Sequence, residues 1–264
     1  DPQYQRLVDL TPGFQCSEDP WPFSSEAVGG LTLHGQTAIV TGGNSGIGYR
    51  ISAHLYQQGA DVYMVCRCAH RCRRARWQLQ SDFGHPEAGQ IFTYTESMDL
   101  SKLNEVRRFA FKMLLELGKD GLNMLFLNAG DPYAPLGQPL SEEGYEMMFA
   151  TNYLGHHLLY RLLLPLLRIG GQTAAGARVV QTSSSAHWTT FRWGVATSLE
   201  ELNGPTANFR YNSGLLYGQS KLAQVLWVQE AASQLDPAER IYINAGDPGV
   251  CDTEHWAKTA EWIA

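Results

Sequence analysis

The sequence predicts an α/β fold, a single domain built on a doubly wound parallel sheet and preceded by an N-terminal extension. Three observations carry this. From Leu33 onward, short apolar runs alternate with segments of helical periodicity. The runs are rich in Val, Ile and Leu, as strands covered on both faces are. A glycine cluster, Gly42, Gly46 and Gly48, stands where the first run gives way to the first helical pattern.

Taken in order, residues 1–32 contain "DPWPF" and show neither period, so they read as an extension with little secondary structure. Residues 33–264 form the domain. The strands are expected in "QTAIVTG", "DVYMVCR", "QIFTYTESMDL", "NMLFLNAG", "ARVVQTSS" and "RIYINAGDP". Helical patterns fall near 47–58, 70–82, 101–117, 142–168 and 214–234. Right-handed crossovers between parallel strands then give a Rossmann-type fold, with ligands at the carboxyl ends of the strands. No internal repeat or low-complexity tract interrupts this order.

Composition excludes several function classes. A net charge of −6 in 264 residues argues against a general nucleic-acid binder. The longest apolar run, "HHLLYRLLLPLLRIGG", is broken by Arg161, Pro165 and Arg168, so no transmembrane span is expected. No signal peptide is visible, although the chain begins at Asp1 and an upstream targeting segment fits that start. The five cysteines are odd in number and lack the spacing of a disulfide framework, which points to an intracellular, reducing compartment, cytoplasmic or organellar. "CRCAHRC" gathers Cys66, Cys68, His70 and Cys72. It has no second ligand pair, and Cys66 and Cys68 are expected to share a strand face, so no metal is expected there.

Glycines between a strand and a helix allow a backbone to approach a phosphate closely. They accept positive φ, carry no Cβ, and open onto the unpaired N–H groups and positive dipole end of a helix. The cradle expected for a dinucleotide is Thr41, Gly42, Asn44, Ser45, Gly46, Ile47 and Gly48. Where the second strand ends, an acidic residue would bind ribose hydroxyls and an arginine a 2′-phosphate. This chain has Arg67 there, so NADP (NADPH) is expected ahead of NAD. Arg71 also stands nearby, whereas Arg73, Arg74 and Arg76 read as a solvated helix face.

"YGQSK" places Tyr217 and Lys221 on one face of a helix. A neighbouring ammonium favours the phenolate and suits the tyrosine to acid–base work. Adjacent His156 and His157 point in different directions on their helix and read as packing or surface residues.

With these motifs in sequence order, the chain resembles the short-chain dehydrogenase/reductase family over about Leu33 to Thr253. The residues are "TGGNSGIG", Asp99, "NAG" at 128–130, Asn152, a serine run, "YGQSK" and "DPGVCDT". "NYLGHHLLYRLLLPLL" and "YNSGLLYGQSKL" are similar to the retinol dehydrogenase and WW-domain oxidoreductase branch. The resemblance implies that Tyr217 is the acid–base. Lys221 would bind the nicotinamide ribose, Asn152 would hold a water relay, and Ser184, among Ser183, Ser184 and Ser185, would bond the substrate oxygen. It implies cofactor contact by Asp99, Asn128, Ala129, Gly130, Pro248, Gly249 and Thr253, with sheet-pinning an equal role for Asn128. Asp247 replaces the branch's usual histidine, and because the chain stops soon after Thr253 the family's last helices and seventh strand are expected to be absent or not included.

The expected function is NADP-dependent hydride transfer to or from the carbonyl or alcohol carbon of a lipophilic retinoid, steroid or fatty aldehyde. The rival is a cofactor-holding structural subunit of a larger assembly. Leucine-rich helices around Asn152 and Tyr217 suit a homodimer, as in family dimers.

Overall fold

In a computed structural model, which describes residues 32–132, 139–204, 209–249 and 251, six strands form one parallel sheet in the order β3-β2-β1-β4-β5-β6. They are β1 (Thr37–Thr41), β2 (Asp61–Val65), β3 (Ile91–Thr93), β4 (Met124–Leu127), β5 (Ala177–Thr182) and β6 (Ile241–Gly246). The main helices are α1 (Gly46–Gln57), α2 (Ala69–Phe83), α3 (Leu103–Glu116), α4 (Gly155–Gly171) and α5 (Phe209–Gln234). Winding runs outward from β1 to β3 and resumes at β4, which pairs with the other side of β1 (Ala38 opposite Met124). The order therefore reverses between β1 and β4, and a crevice for ligands opens beyond their carboxyl ends.

Alternation along β1 explains the two helical layers. All five of its residues are buried. Ile39 faces one core with Phe109, Leu159, Leu163 and Trp227, from α3, α4 and α5. Ala38 and Val40 face the other with Ala53 and Leu79, from α1 and α2. At the amino end of the sheet, Asn123 Oδ1 accepts from Thr37 N at 3.1 Å, and its Nδ2 donates to Thr173 Oγ1 at 3.0 Å.

Of the boundaries that differ from the sequence reading, two have a clear physical cause. The run "QIFTYTESMDL" pairs only over Ile91–Thr93, because β3 is an edge strand and pairs with β2 through those three residues. The helix expected over 142–168 begins at a short turn, Met147–Phe149, capped by the Glu146 carboxylate. That side chain accepts from Met148 N (2.9 Å) and Phe149 N (2.7 Å). A π-helical turn, Ala150–Leu154, then leads into α4. Pro165 lies inside α4, which nevertheless runs unbroken to Gly171.

The cysteine reading is corrected. Cys66 and Cys72 form a disulfide, since the first turn of α2 folds Cys72 back over the end of β2 with the two Cα atoms 5.9 Å apart. This removes the cysteine-based ground for a reducing compartment. Cys66 and Cys68 do not share a face either. Strand geometry ends at Val65, so Cys66 is buried while Cys68, the N-cap of α2, is exposed. Among the described residues no three His, Cys, Asp or Glu side chains are placed to share a metal, and no helix is long and apolar enough to cross a membrane.

Helix α4 lies so close to the sheet that a Cβ on Gly170 would collide with the Leu122 carbonyl. Gly170→Ala should therefore lower stability by about 1–3 kcal/mol, an overpacking cost, without changing the far-ultraviolet circular dichroism of the folded state. Denaturant unfolding measures this, and an unchanged midpoint would show that the contact yields freely.

Candidate active site

Beyond β1 the chain turns through Gly42 (φ 69°) and Gly46 (φ 52°), left-handed positions that favour glycine. Gly48 is required for a different reason. A Cβ there would collide with the Gly42 carbonyl and lie 2.6 Å from Asn128 Nδ2. The start of α1 is thus pressed against the strand ends. Its N-cap, Ser45, makes no side-chain cap hydrogen bond, and the first turn has no acidic residue. These features leave the helix's positive end to an anionic ligand.

The loop opens into a cavity of about 640 Å³ that reaches from the end of β2 to the segment after β6, within the usual range of about 300–1,000 Å³ for ligand sites. It brings together Thr41, Gly42, Asn44, Ser45, Gly46 and Ile47 with Arg67 and Asp99. It also gathers Asn128, Ala129 and Gly130 with Ser184, Tyr217, Lys221, Pro248 and Gly249. Gly48 and Asn152 stand behind the wall, and Thr253 lies outside the described residues. The glycine cradle, the uncapped helix end and the arginines therefore fit a phosphate-bearing dinucleotide.

At the β2 end, Arg67 and Arg71 both line the cavity. Arg67 Nη1 lies 3.7 Å from Asp131 Oδ2, with the two side chains 61% and 27% exposed. Asp131 was not singled out from the sequence, because it is one more polar residue after "NAG". Its backbone is held by Asn152, whose Oδ1 accepts from Asp131 N (2.8 Å) and whose Nδ2 donates to Asp131 O (3.1 Å). Asp99 Oδ1 accepts from Ser101 N and Oγ at 2.9 and 2.8 Å, which fixes the turn before α3.

At the other end, Tyr217 and Lys221 lie one turn apart on α5, with Lys221 Nζ 5.4 Å from the tyrosine ring centre. The ammonium is buried and donates to Thr182 O at 3.0 Å. Burial pushes its pKa down to about 8, and the Asp247 carboxylate works against that. Asp247 also accepts from Gly249 N at 3.1 Å. The serines divide the work. Ser183 is buried and donates to the Lys221 carbonyl (3.1 Å), while Ser184 Oγ accepts from Ala186 N (3.2 Å) at the cavity wall. Ser185 is exposed.

Asn152 sits in the π-helical turn, fully buried, and its Nδ2 also donates to Ser220 Oγ at 3.0 Å. Two side-chain donors converge on its carbonyl: His156 Nδ1 at 2.9 Å and Gln224 Nε2 at 2.7 Å. His156 is not a surface residue. It is fully buried, and desolvation holds its pKa down to about 4. His157 does pack, edge-on against Trp227. Adjacency of two histidines in an apolar helix gave no sign of which one would meet polar partners.

A family model described as short chain dehydrogenase matches residues 36–196. The chain is 34% identical over 226 residues to retinol dehydrogenase 14 of Mus musculus, covering 84% of this chain and 63% of that protein. It is 34% identical to polyprenol dehydrogenase of Mus musculus, covering 87% and 63%. The chain thus spans less than two thirds of the length of these relatives. Among solved structures, it resembles the Pseudomonas aeruginosa RhlG/NADP active-site complex, with a TM-score of 0.62 and 27% identity over 88% of this chain and 78% of that one.

The buried lysine makes a pH prediction. Between about pH 8, where the native ammonium loses its proton, and the ordinary lysine range, the unfolded chain binds the extra proton. Lys221 therefore makes stability rise with pH across that window. The stability of wild type minus that of Lys221→Met should climb by about 1–3 kcal/mol between roughly pH 7.5 and 10. A flat difference in denaturant unfolding would mean that the ammonium is effectively solvated.

Proposed function

The chain belongs to the short chain dehydrogenase family, and on that premise we propose that it is an NADP-dependent oxidoreductase acting on a carbonyl or alcohol carbon of a lipophilic substrate. The carrying observation is that Ser184, Tyr217 and Lys221 line the same cavity as the glycine loop. NADPH, when bound, supplies the hydride for reduction. The amides at the start of α1 would hold the pyrophosphate, and Arg67, with Arg71 beside it, would take the 2′-phosphate. Tyr217 gives its hydroxyl proton to the carbonyl oxygen during reduction and recovers it from the alcohol during oxidation. The Ser184 hydroxyl donates to that oxygen as charge develops on it. Lys221 places a buried positive charge beside the tyrosine and the ribose. Asn152 acts from behind, fixing Asp131 and Ser220.

An apolar substrate is supported from two sides. Trp188 and Trp193, on the segment that follows Ser184, are 83% and 58% exposed, and Trp193 stacks on Phe191 at 4.7 Å. Relatives named for retinol and polyprenol also point to long apolar alcohols.

Two substitutions test the reading. Tyr217→Phe should abolish turnover across a panel of carbonyl substrates and leave NADPH affinity nearly unchanged, because the hydroxyl acts on the substrate. Near-normal rates would remove Tyr217 from the chemistry. Arg67→Asp removes a charge-assisted contact worth about 1.5–3 kcal/mol and adds a repelling carboxylate. NADPH affinity should fall by at least about ten- to a hundredfold, while NADH, which lacks the phosphate, loses nothing. Equal losses for both cofactors would indicate damage to the fold. No loss for NADPH would give the phosphate to Arg71 or remove NADP selectivity.

A further inference from the structure

His156 bridges two parts of the site that no backbone hydrogen bond joins directly. Its Nδ1 lies 2.9 Å from the Asn152 carbonyl oxygen, and its Nε2 lies 2.9 Å from Thr41 Oγ1. A carbonyl oxygen only accepts, so the imidazole proton must be on Nδ1. Full burial, with the Lys221 ammonium acting on the same ring, keeps that imidazole neutral, and Nε2 is therefore a bare acceptor. Thr41 must then donate its single hydroxyl hydrogen to Nε2. Its oxygen keeps two lone pairs, and two amides occupy them: Asn128 N at 2.9 Å and Ala129 N at 3.0 Å. The Phe126 carbonyl, 3.3 Å from the hydroxyl, is left as a lesser alternative for the same hydrogen.

Each hydrogen bond in this chain fixes the direction of the next. The opposite tautomer would set a bare Nδ1 against a carbonyl and present an N–H to Thr41. The hydroxyl would then have to accept from the ring, in competition with the two loop amides. The "NAG" loop is thus oriented from one side of the imidazole and the π-helical turn of Asn152 from the other. Gln224, which donates to the same carbonyl, belongs to the α5 helix that carries Tyr217 and Lys221.

We propose that His156 is a positioning residue, a neutral imidazole of fixed Nδ1–H tautomer that couples the cofactor-side loop ends of β1 and β4 to the Asn152 turn behind Tyr217 and Lys221. This rests on the oxidoreductase reading above. The two ring nitrogens have separable tasks. The Nε2 side, through Thr41, governs cofactor binding; the Nδ1 side, through Asn152, governs the chemical step.

Two near-isosteric replacements divide these tasks. The amide of asparagine reaches the Nδ1 position, so His156→Asn keeps the donor to Asn152 and loses the Thr41 contact. The longer glutamine reaches the Nε2 position, so His156→Gln keeps an acceptor for Thr41 and loses the donor to Asn152. NADPH binding is measured by nicotinamide fluorescence, and the rate by single-turnover reduction of retinal. His156→Asn should weaken NADPH by about tenfold, as expected for one buried hydrogen bond, with the rate little changed. His156→Gln should bind NADPH nearly as wild type and lose about tenfold in rate.

Long-range proton–nitrogen spectra of the wild-type histidines should show one ring in the Nδ1–H form, unaltered between roughly pH 5.5 and 8, in the window where an ordinary imidazole titrates. A titrating or Nε2–H ring at His156 overturns the proposal. So do equal losses of affinity and rate in both variants accompanied by a lower Tm, or no loss in either. Wild-type protein that binds no NADPH defeats the function reading instead, and the spectra then decide the tautomer alone. If retinal is not reduced, that substrate is wrong, and the NADPH comparison and the spectra still decide for or against His156.

Discussion

The Thr41 hydroxyl is the constraint on which the site depends. Thr41 ends β1 at the point where strand order reverses, and it is 1% exposed. Its oxygen receives the first two amides of "NAG", while its carbonyl accepts from Asn128 Nδ2 at 3.1 Å. Asn128 Oδ1 then accepts from Thr182 Oγ1 at 3.3 Å, so the ends of β1, β4 and β5 are tied in one row. In a buried setting each unpaired polar group costs about 1–3 kcal/mol, which ties these groups to one arrangement. Asn128 spends its side chain on this framework. The glycine loop therefore starts from a rigid edge.

Burial shapes the chemistry as well as the frame. Lys221 is desolvated, and it keeps its proton near neutrality against that cost because the Asp247 carboxylate favours the charged form and Thr182 O accepts from it. The same effect acts in the opposite sense on Glu146, whose carboxyl is pushed up to about 7 by burial while two amides favour its ionised form. His156 illustrates the third case, a base that desolvation keeps neutral so that its acceptor nitrogen is available. Three ionisable groups surround the Asn152 turn, and their charges are set by placement more than by residue type.

Much of the fold was legible because its signals are local and repeated. Alternation of apolar runs and helices gave the sheet, and the glycines gave the crevice. What escaped depends on distant contacts. The end of β3 is set by pairing with β2 at three positions, which no period in "QIFTYTESMDL" reveals. The start of the helix containing Asn152 is set by a buried glutamate cap, although carboxylates are rarely buried. The Cys66–Cys72 disulfide depends on the way α2 folds back over β2. In the site, Tyr217 and Lys221 were readable from one helical turn. His156 and Asp131 were not, because their partners, Thr41 and Arg67, lie far away in the sequence.

The two ends of the cleft are built to different standards. Around Tyr217 the supporting groups are buried and multiply bonded, so the geometry at this end is fixed in advance. At the arginine end the Arg67–Asp131 pair is long and partly exposed, and such pairs are worth about 0–1 kcal/mol. Asp131 is nevertheless anchored through its backbone by the Asn152 amide, which belongs to the rigid part. On the proposed reading, Arg67 would exchange a fixed carboxylate for a phosphate at little cost, with the Asp131 charge left close to it. On the proposed NADP reading, cofactor preference at this end would follow from the difference between two anions competing for one guanidinium. The aspartate that pairs with Arg67 is held in place by the turn that supports Tyr217 and Lys221.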